Sequence, residues 1–180
     1  RVLVPGGCLA CCCGGGGSHS RPESPKEPQF AWWSIWIDRH LEFKQMIIWD
    51  KGPIGMGWHY RRSYETVLVG RKRGGKCRWF DETGSVENII RPGQYGIQKI
   101  LPKSHEHPCA KHVNLAVHFL KLHTQEGDTV LDPFAGAGWV AEACQRLGRK
   151  FIGIEIDPHW YNVAKKRIEN FKQGLFKRLP

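Results

Sequence analysis

Two carboxylates, Asp132 and Glu155, flank a glycine-rich turn in VLDPFAGAGWVAEACQRLGRKFIGIEIDP, residues 130–158. Gly136, Gly138 and Ala141 satisfy G-x-G-x-x-A, a spacing used by turns that hold adenosine-containing molecules. The first glycine permits a sharp turn, and the second lets a ligand approach the backbone. Glu155 stands seventeen positions after Gly138, at the end of the next apolar run, where a carboxylate can accept both hydroxyl protons of a ribose. These features serve NAD and S-adenosylmethionine alike. Asp132 separates them. It precedes the turn, where a dinucleotide would bring its pyrophosphate, and a carboxylate there repels that anion but attracts an ammonium group. S-adenosylmethionine carries an α-ammonium and a sulfonium and no phosphate, so the order of acid and glycines favours the methyl donor. A dinucleotide, or a structural turn that binds nothing, stays open as an alternative.

The elements that must position these residues follow from periodicity and breakers. Residues 129–132 read as a strand, and 138–147 as a helix with Val140, Ala143, Cys144 and Leu147 toward the core. Gly148 falls where a left-handed glycine releases a helix. The run KFIGIEI, residues 150–156, is mostly apolar, as a parallel strand covered on both faces would be. Asp157 and Pro158 then offer an N-cap and a first-turn proline for a last helix carrying Trp160, Tyr161, Ala164, Ile168 and Phe171. Further upstream, residues 111–123 form a helical pattern with Val113, Ala116, Val117 and Leu120 on one face, and Gly127 closes the connection.

The earlier part of the chain is less regular. Residues 9–13 read as a short buried strand filled by small cysteines, and 14–28, rich in Gly, Ser and Pro, as a loop. Phe30, Trp33, Trp36, Ile37 and Leu41 have the spacing of an amphipathic helix over 29–41. Residues 43–50 and 64–72 are extended runs, expected as neighbouring strands of one sheet. Residues 71–107 begin with the basic run RKRGGKCR and are interrupted at Pro92, Gly93, Gly96 and Pro102. No internal repeat is present. The alternation of strands and helices predicts a doubly wound α/β sheet with its site at the C-terminal strand ends.

Composition narrows the partners. The 180 residues suit one domain, and Lys and Arg total 27 against 17 Asp and Glu, a net charge of +10. That surplus suits a polyanion without naming one. Four of the seven cysteines fall in GCLACCC, which is no spaced disulfide framework and points to a reducing compartment. Cys8 and Cys11 lack a second ligand pair at zinc spacing, and His105, His107 and Cys109 lack a partner cluster, so no metal is expected. The apolar opening is too short for a membrane span and is broken by Pro5, Gly6 and Gly7. His118 is expected to pack rather than catalyse. Trp32, Trp33 and Trp36 are expected in a core or interface rather than against bases.

DPFAGAG followed by FIGIEIDP resembles the cofactor motifs of DNA methyltransferases that act on the exocyclic nitrogen of adenine or cytosine. In their permuted subgroup these motifs come last, after a segment of the form HPTQKP. HPCAKHV, residues 107–113, keeps His107, Pro108 and Lys111 of it. IIWDKGPIGMGWHYRRSYETVLVGRK resembles the strand pair after that family's catalytic motif, and RVLVPGGCLACC resembles the strand that follows the helix just downstream of that motif. The resemblance covers nearly the whole chain. It implies a Rossmann-like class I methyltransferase sheet in permuted order, with residues 1–180 as a single, partial domain. Residues 71–106 would then be a target-recognition insertion and 107–180 the part that binds S-adenosylmethionine. It implies cofactor contacts from His107, Pro108, Lys111, Asp132, Phe134, Gly136, Gly138, Glu155 and Asp157. Double-stranded DNA becomes the polyanion, with phosphate contacts expected from Arg61, Arg62, Arg71, Lys72, Arg73, Lys76 and Arg78. A cytoplasmic setting in a prokaryote or phage follows from the same resemblance.

Two departures from the family pattern bear on chemistry. Trp139 stands after the second glycine, where the family usually has threonine, and could narrow the methionine end of the pocket or pack on the ligand. The catalytic tetrapeptide, an Asp, Asn or Ser followed by Pro-Pro and an aromatic residue, is absent, and the sequence contains no Pro-Pro. An exocyclic amine is a poor nucleophile because its lone pair is conjugated with the ring. The tetrapeptide would supply the acceptors that free that lone pair, acting on a base extruded from the duplex. In permuted order it falls just before Arg1, so the expectation is an N-terminally truncated piece with no catalytic residue of its own. Methyl transfer to adenine, ahead of cytosine, is the leading expectation for the family. A non-catalytic DNA-binding remnant and an NAD-dependent enzyme are the alternatives.

Overall fold

β-Branched and aromatic residues are concentrated at 42–50 and 64–71, and both segments are strands in the computed structural model, which describes residues 3–13, 29–53, 61, 63–97 and 111–176. In chain order the elements are β1 (Cys8–Cys13), α1 (Gln29–His40), β2 (Glu42–Asp50), β3 (Tyr64–Arg71), β4 (Ile89–Ile90), α2 (Val113–His123), β5 (Thr129–Asp132), α3 (Trp139–Arg146), β6 (Lys150–Gly153) and α4 (Pro158–Phe176). They divide into two compact units on either side of the Gln94–Tyr95 bond. No helix among the described residues is long and apolar enough to cross a membrane.

The first unit is a four-stranded sheet in the order β1-β3-β2-β4. β3 runs antiparallel to both of its neighbours, and β4 pairs parallel to β2. Central strands are covered on both faces, and β3 accordingly buries Thr66, Val67, Leu68 and Val69 in succession. β1 lies at one edge of this sheet, and this corrects its reading as a buried strand: Leu9, Cys11 and Cys12 are only half-buried and Ala10 is exposed. α1 is also less buried than its spacing suggests. Ile37 is its buried anchor, whereas Phe30, Trp32, Trp33 and Trp36 are exposed.

The second unit is built on the parallel pair β5–β6, in register from Thr129 opposite Lys150 to Asp132 opposite Gly153, with α3 as the crossover. The helix faces read from the sequence hold. Val113, Ala116 and Leu120 of α2 bury against Ala143 and Cys144 of α3, joined by Val117, Val130, Val140, Leu147 and Phe151. α3 ends in a Schellman arrangement: Gly148 N–H donates to the Gln145 carbonyl, and Arg149 N–H reaches the Cys144 carbonyl at 2.8 Å. The run 150–156 is corrected twice. Its strand stops at Gly153, and it is not covered on both faces. Val130 and Phe151 face the helices, so the pleat turns Leu131 and Ile152 the other way, where both are exposed. Tyr161 of α4 is exposed as well.

Leu68 lies fully buried at the centre of β3. Leu68→Ala should therefore lower unfolding stability by about 2–5 kcal/mol, measured by urea denaturation, because the cavity is lined by strands that cannot collapse into it.

Candidate cofactor site

Where the β5 ladder ends at Asp132, the chain turns and is stitched to the segment after β6. Ile154 N–H donates to the Asp132 carbonyl, and Ala135 N–H to the Ile154 carbonyl, both at 2.9 Å. The Asp132 side chain closes the first bend by accepting the Phe134 N–H at 3.0 Å. Gly138 then caps α3 with φ of 78°, and a Cβ there would stand 2.9 Å from the Cβ of Ala164 on α4. Handedness and space both demand glycine at that position.

The second carboxylate is tied to the same turn. Glu155 Oε2 accepts the Gly136 N–H at 2.7 Å, and Oε1 accepts the Asp157 N–H at 2.9 Å. Those backbone bonds, Asp157 first and Gly136 second, hold its pKa below the ordinary carboxylate value. Asp132 is shifted the other way. Burial raises it, the Phe134 N–H partly offsets this, and the negative charge of Glu155 raises it further. The site thus holds one settled anion and one strained anion, and a cation placed beside Asp132 relieves the strain. Around them the surface is apolar: Phe134 is 86 % exposed and Ile156 is 96 % exposed.

α3 and α4 brace the turn through residues that motif spacing did not single out. Arg167 of α4 donates through Nη1 to the Ala137 carbonyl at 3.2 Å and pairs with Glu142 of α3, which also pairs with Arg146. Burial pushes Glu142 up, but the Arg167 and Arg146 guanidinium groups outweigh it and leave the carboxyl more acidic than usual. Ala164 and Arg167, three positions apart, share one helix face, which was the available signal. Trp139 packs on the α2–α3 cluster.

The remaining expected residues divide as follows. His107, Pro108 and Arg62, with His105 and Cys109, lie outside the described residues. Lys111 is half-buried just before α2. Asp157 accepts the His159 N–H at 2.8 Å and so caps α4. In the basic set, Arg71 pairs with Glu42 and donates to the Gly75 carbonyl, and Lys72 reaches the Leu3 carbonyl at 2.6 Å. Arg73 donates to the Asp38 carbonyl, and Arg78 lies over the Phe80 ring. Arg61, Arg73 and Lys76 are exposed. His118 is buried against the Tyr95 ring, centroids 4.0 Å apart, and burial, with His123 nearby, holds its imidazole down at about 4.

The model of the N6/N4 family described as DNA methylase matches residues 1–166. The chain is 33% identical over 123 residues to the type II methyltransferase M.HhaII of Haemophilus parahaemolyticus, covering 67% of this chain and 50% of that protein. It is 30% identical over 118 residues to the type II methyltransferase M2.DpnII of Streptococcus pneumoniae, covering 62% of this chain and 44% of that protein. The chain therefore spans about half the length of these curated relatives. Among solved structures, the M1.HpyAVI complex with its SAM ligand superposes with a TM-score of 0.70 at 28% identity, over 92% of this chain and 76% of that one. TTHA0409 of Thermus thermophilus, complexed with S-adenosyl-L-methionine, superposes with a TM-score of 0.71 at 26% identity, over 95% and 72% of the two chains.

The strain on Asp132 has a measurable sign. Its folded-state pKa lies above the ordinary 3.8, so its ionisation costs stability as pH rises through that value toward the raised one, and the full cost remains at higher pH. Asp132→Asn keeps an acceptor for the Phe134 N–H and removes the charge. Its melting temperature at pH 7 should exceed that of the parent chain, with the gap closing as pH falls below about 4.

Proposed function

The chain belongs to the N6/N4 DNA methylase family, and from that premise we propose that it binds S-adenosyl-L-methionine at the β5–α3 turn and contacts double-stranded DNA. Its α/β fold is that of class I methyltransferases, with the glycine-turn unit late in the chain. For the whole protein we propose methyl transfer to an exocyclic amino group of a DNA base, with adenine the first target to assay, in an intracellular setting.

One observation carries the cofactor reading. The half-buried carboxylate of Asp132 at the end of β5, opposed by Glu155 across the glycine turn, makes a site whose field favours a cation. A pyrophosphate would meet two negative charges there. Bound S-adenosyl-L-methionine supplies a methyl group activated by its sulfonium. Asp132 would face the cationic end. Each Glu155 oxygen, already accepting one backbone N–H, keeps capacity to accept a ribose hydroxyl proton. Phe134 and Ile156 offer exposed apolar surface for the purine. Gly136 and Gly138 keep the backbone open to the ligand, and His107, Pro108, Lys111 and Asp157 complete the proposed set.

For DNA, Arg61, Arg73 and Lys76 are the exposed members of the basic set, while Arg71 and Lys72 are engaged within the fold. A second reading, cofactor and DNA binding without methyl transfer by these 180 residues alone, is supported by the absence of any Pro-Pro in the sequence. Transfer of a labelled methyl group to duplex DNA by this chain would remove that second reading.

Titration calorimetry should detect S-adenosylhomocysteine binding and no NADH binding. NADH binding without S-adenosylhomocysteine binding would sink the cofactor assignment. Asp132→Ala should weaken S-adenosyl-L-methionine at least about tenfold, the cost of one charge-assisted contact. On DNA, the double variant Arg73→Ala, Lys76→Ala should lower the slope of log affinity against log salt by about 1–2, and an unchanged slope would clear both residues of phosphate contact.

A further inference from the structure

Cys8 opens β1 and Cys77 lies in the loop after β3, 69 positions later, yet the fold brings Cys8 against the segment that carries Cys77. The surrounding backbone holds them there. Gly6 N–H donates to the Lys72 carbonyl at 3.0 Å, and Lys72 N–H donates to the Gly7 carbonyl at 2.9 Å. Cys8 Sγ stands 3.8 Å from the carbonyl oxygen of Arg78, the residue next to Cys77. The two segments approach so closely that a Cβ on Gly6 would lie 2.2 Å from the Lys76 carbonyl oxygen, and one on Gly75 would lie 2.7 Å from the Gly6 nitrogen. Both thiols are free, with Cys77 exposed and Cys8 half-buried.

We propose that Cys8 and Cys77 form a redox-modification site, a dithiol that a hydroperoxide converts into a disulfide. The exposed Cys77 sulfur attacks one peroxide oxygen. The O–O bond breaks, the departing oxygen leaves with the thiol proton as alcohol or water, and Cys77 becomes a sulfenic acid. The Cys8 sulfur then attacks the Cys77 sulfur. An S–S bond forms as the S–O bond breaks, and the released hydroxide takes the Cys8 proton as water. Two electrons and two protons pass from the thiols to the peroxide. Burial, then the neighbouring Cys77, push the Cys8 thiol up to about 11, which assigns the first step to Cys77 and the resolving step to Cys8. The bridge would pin the basic segment 71–78 to β1.

The experiment exposes the full chain to equimolar hydrogen peroxide, blocks residual thiols and maps peptides by mass. The expected product is one intramolecular Cys8–Cys77 cross-link, two hydrogens lighter and reversed by dithiothreitol. Its melting temperature should rise by several degrees, and neither Cys8→Ser nor Cys77→Ser should show that rise. Cys8→Ser should stall Cys77 as a sulfenic acid that dimedone captures, whereas Cys77→Ser, a change at an exposed position, should leave Cys8 unmodified. Cross-links from Cys8 to Cys11 or Cys12, intermolecular dimers, or direct passage of Cys77 to sulfinic acid in the parent chain would overturn the proposal.

Discussion

The Glu155 carboxylate is the constraint on which the candidate site depends. It accepts one N–H from the glycine turn and one from the segment that starts α4, so a single side chain joins the exits of both parallel strands. Without it, Gly136 would have no side-chain acceptor for its N–H, and the bend after Asp132 would be held by the Ala135–Ile154 bond and the Phe134 bend. Holding the turn also places the Glu155 charge where Asp132 feels it. The geometry that orders the loop is the same geometry that raises the energy of the half-buried acid Asp132. Such opposition of stability and function is common at ligand sites.

The helices then act as a clamp on that turn. Ala164 sits so close to Gly138 that neither position accepts a larger side chain without movement, and Arg167 reaches the Ala137 carbonyl while neutralising Glu142. α4 is therefore more than a cover for the sheet. Its Ala164 and Arg167 bear directly on the glycine turn at the strand ends. The first unit has another logic. Its central strand β3 is buried through five consecutive residues, while the basic segment that follows is drawn back onto the fold by Glu42, the Leu3 carbonyl and the Asp38 carbonyl.

Much of this was legible in the residues. α3 and its capping glycine, the apolar faces of α2 and α3, and the N-cap of α4 rest on local chemistry: 3.6-residue spacing, a left-handed glycine at Gly148, and a carboxylate two residues before an amide it can bond. The acid-glycine-acid order could be read because charge sign needs no tertiary structure. Burial was less legible. The tryptophans of α1 have core spacing, but spacing states only that residues share a face, not that anything covers it. The apolar run after Lys150 likewise allowed two covered faces, while among the described residues β6 pairs with β5 alone and Leu131 and Ile152 are exposed.

By itself the sequence determined which residue types bracket the turn and which local segments could form helices or strands, because these depend on neighbours within a few positions. Tertiary structure alone decided the long-range pairings. It joined Glu155 to Gly136 across 19 positions, Arg167 to Ala137 across 30, and Cys8 to the Arg78 carbonyl across 70. Nothing in the spacing of those residues encodes their meeting, since each depends on how separate elements pack. The same packing engaged Arg71 and Lys72 of the basic run within the fold, a distinction that net charge cannot make.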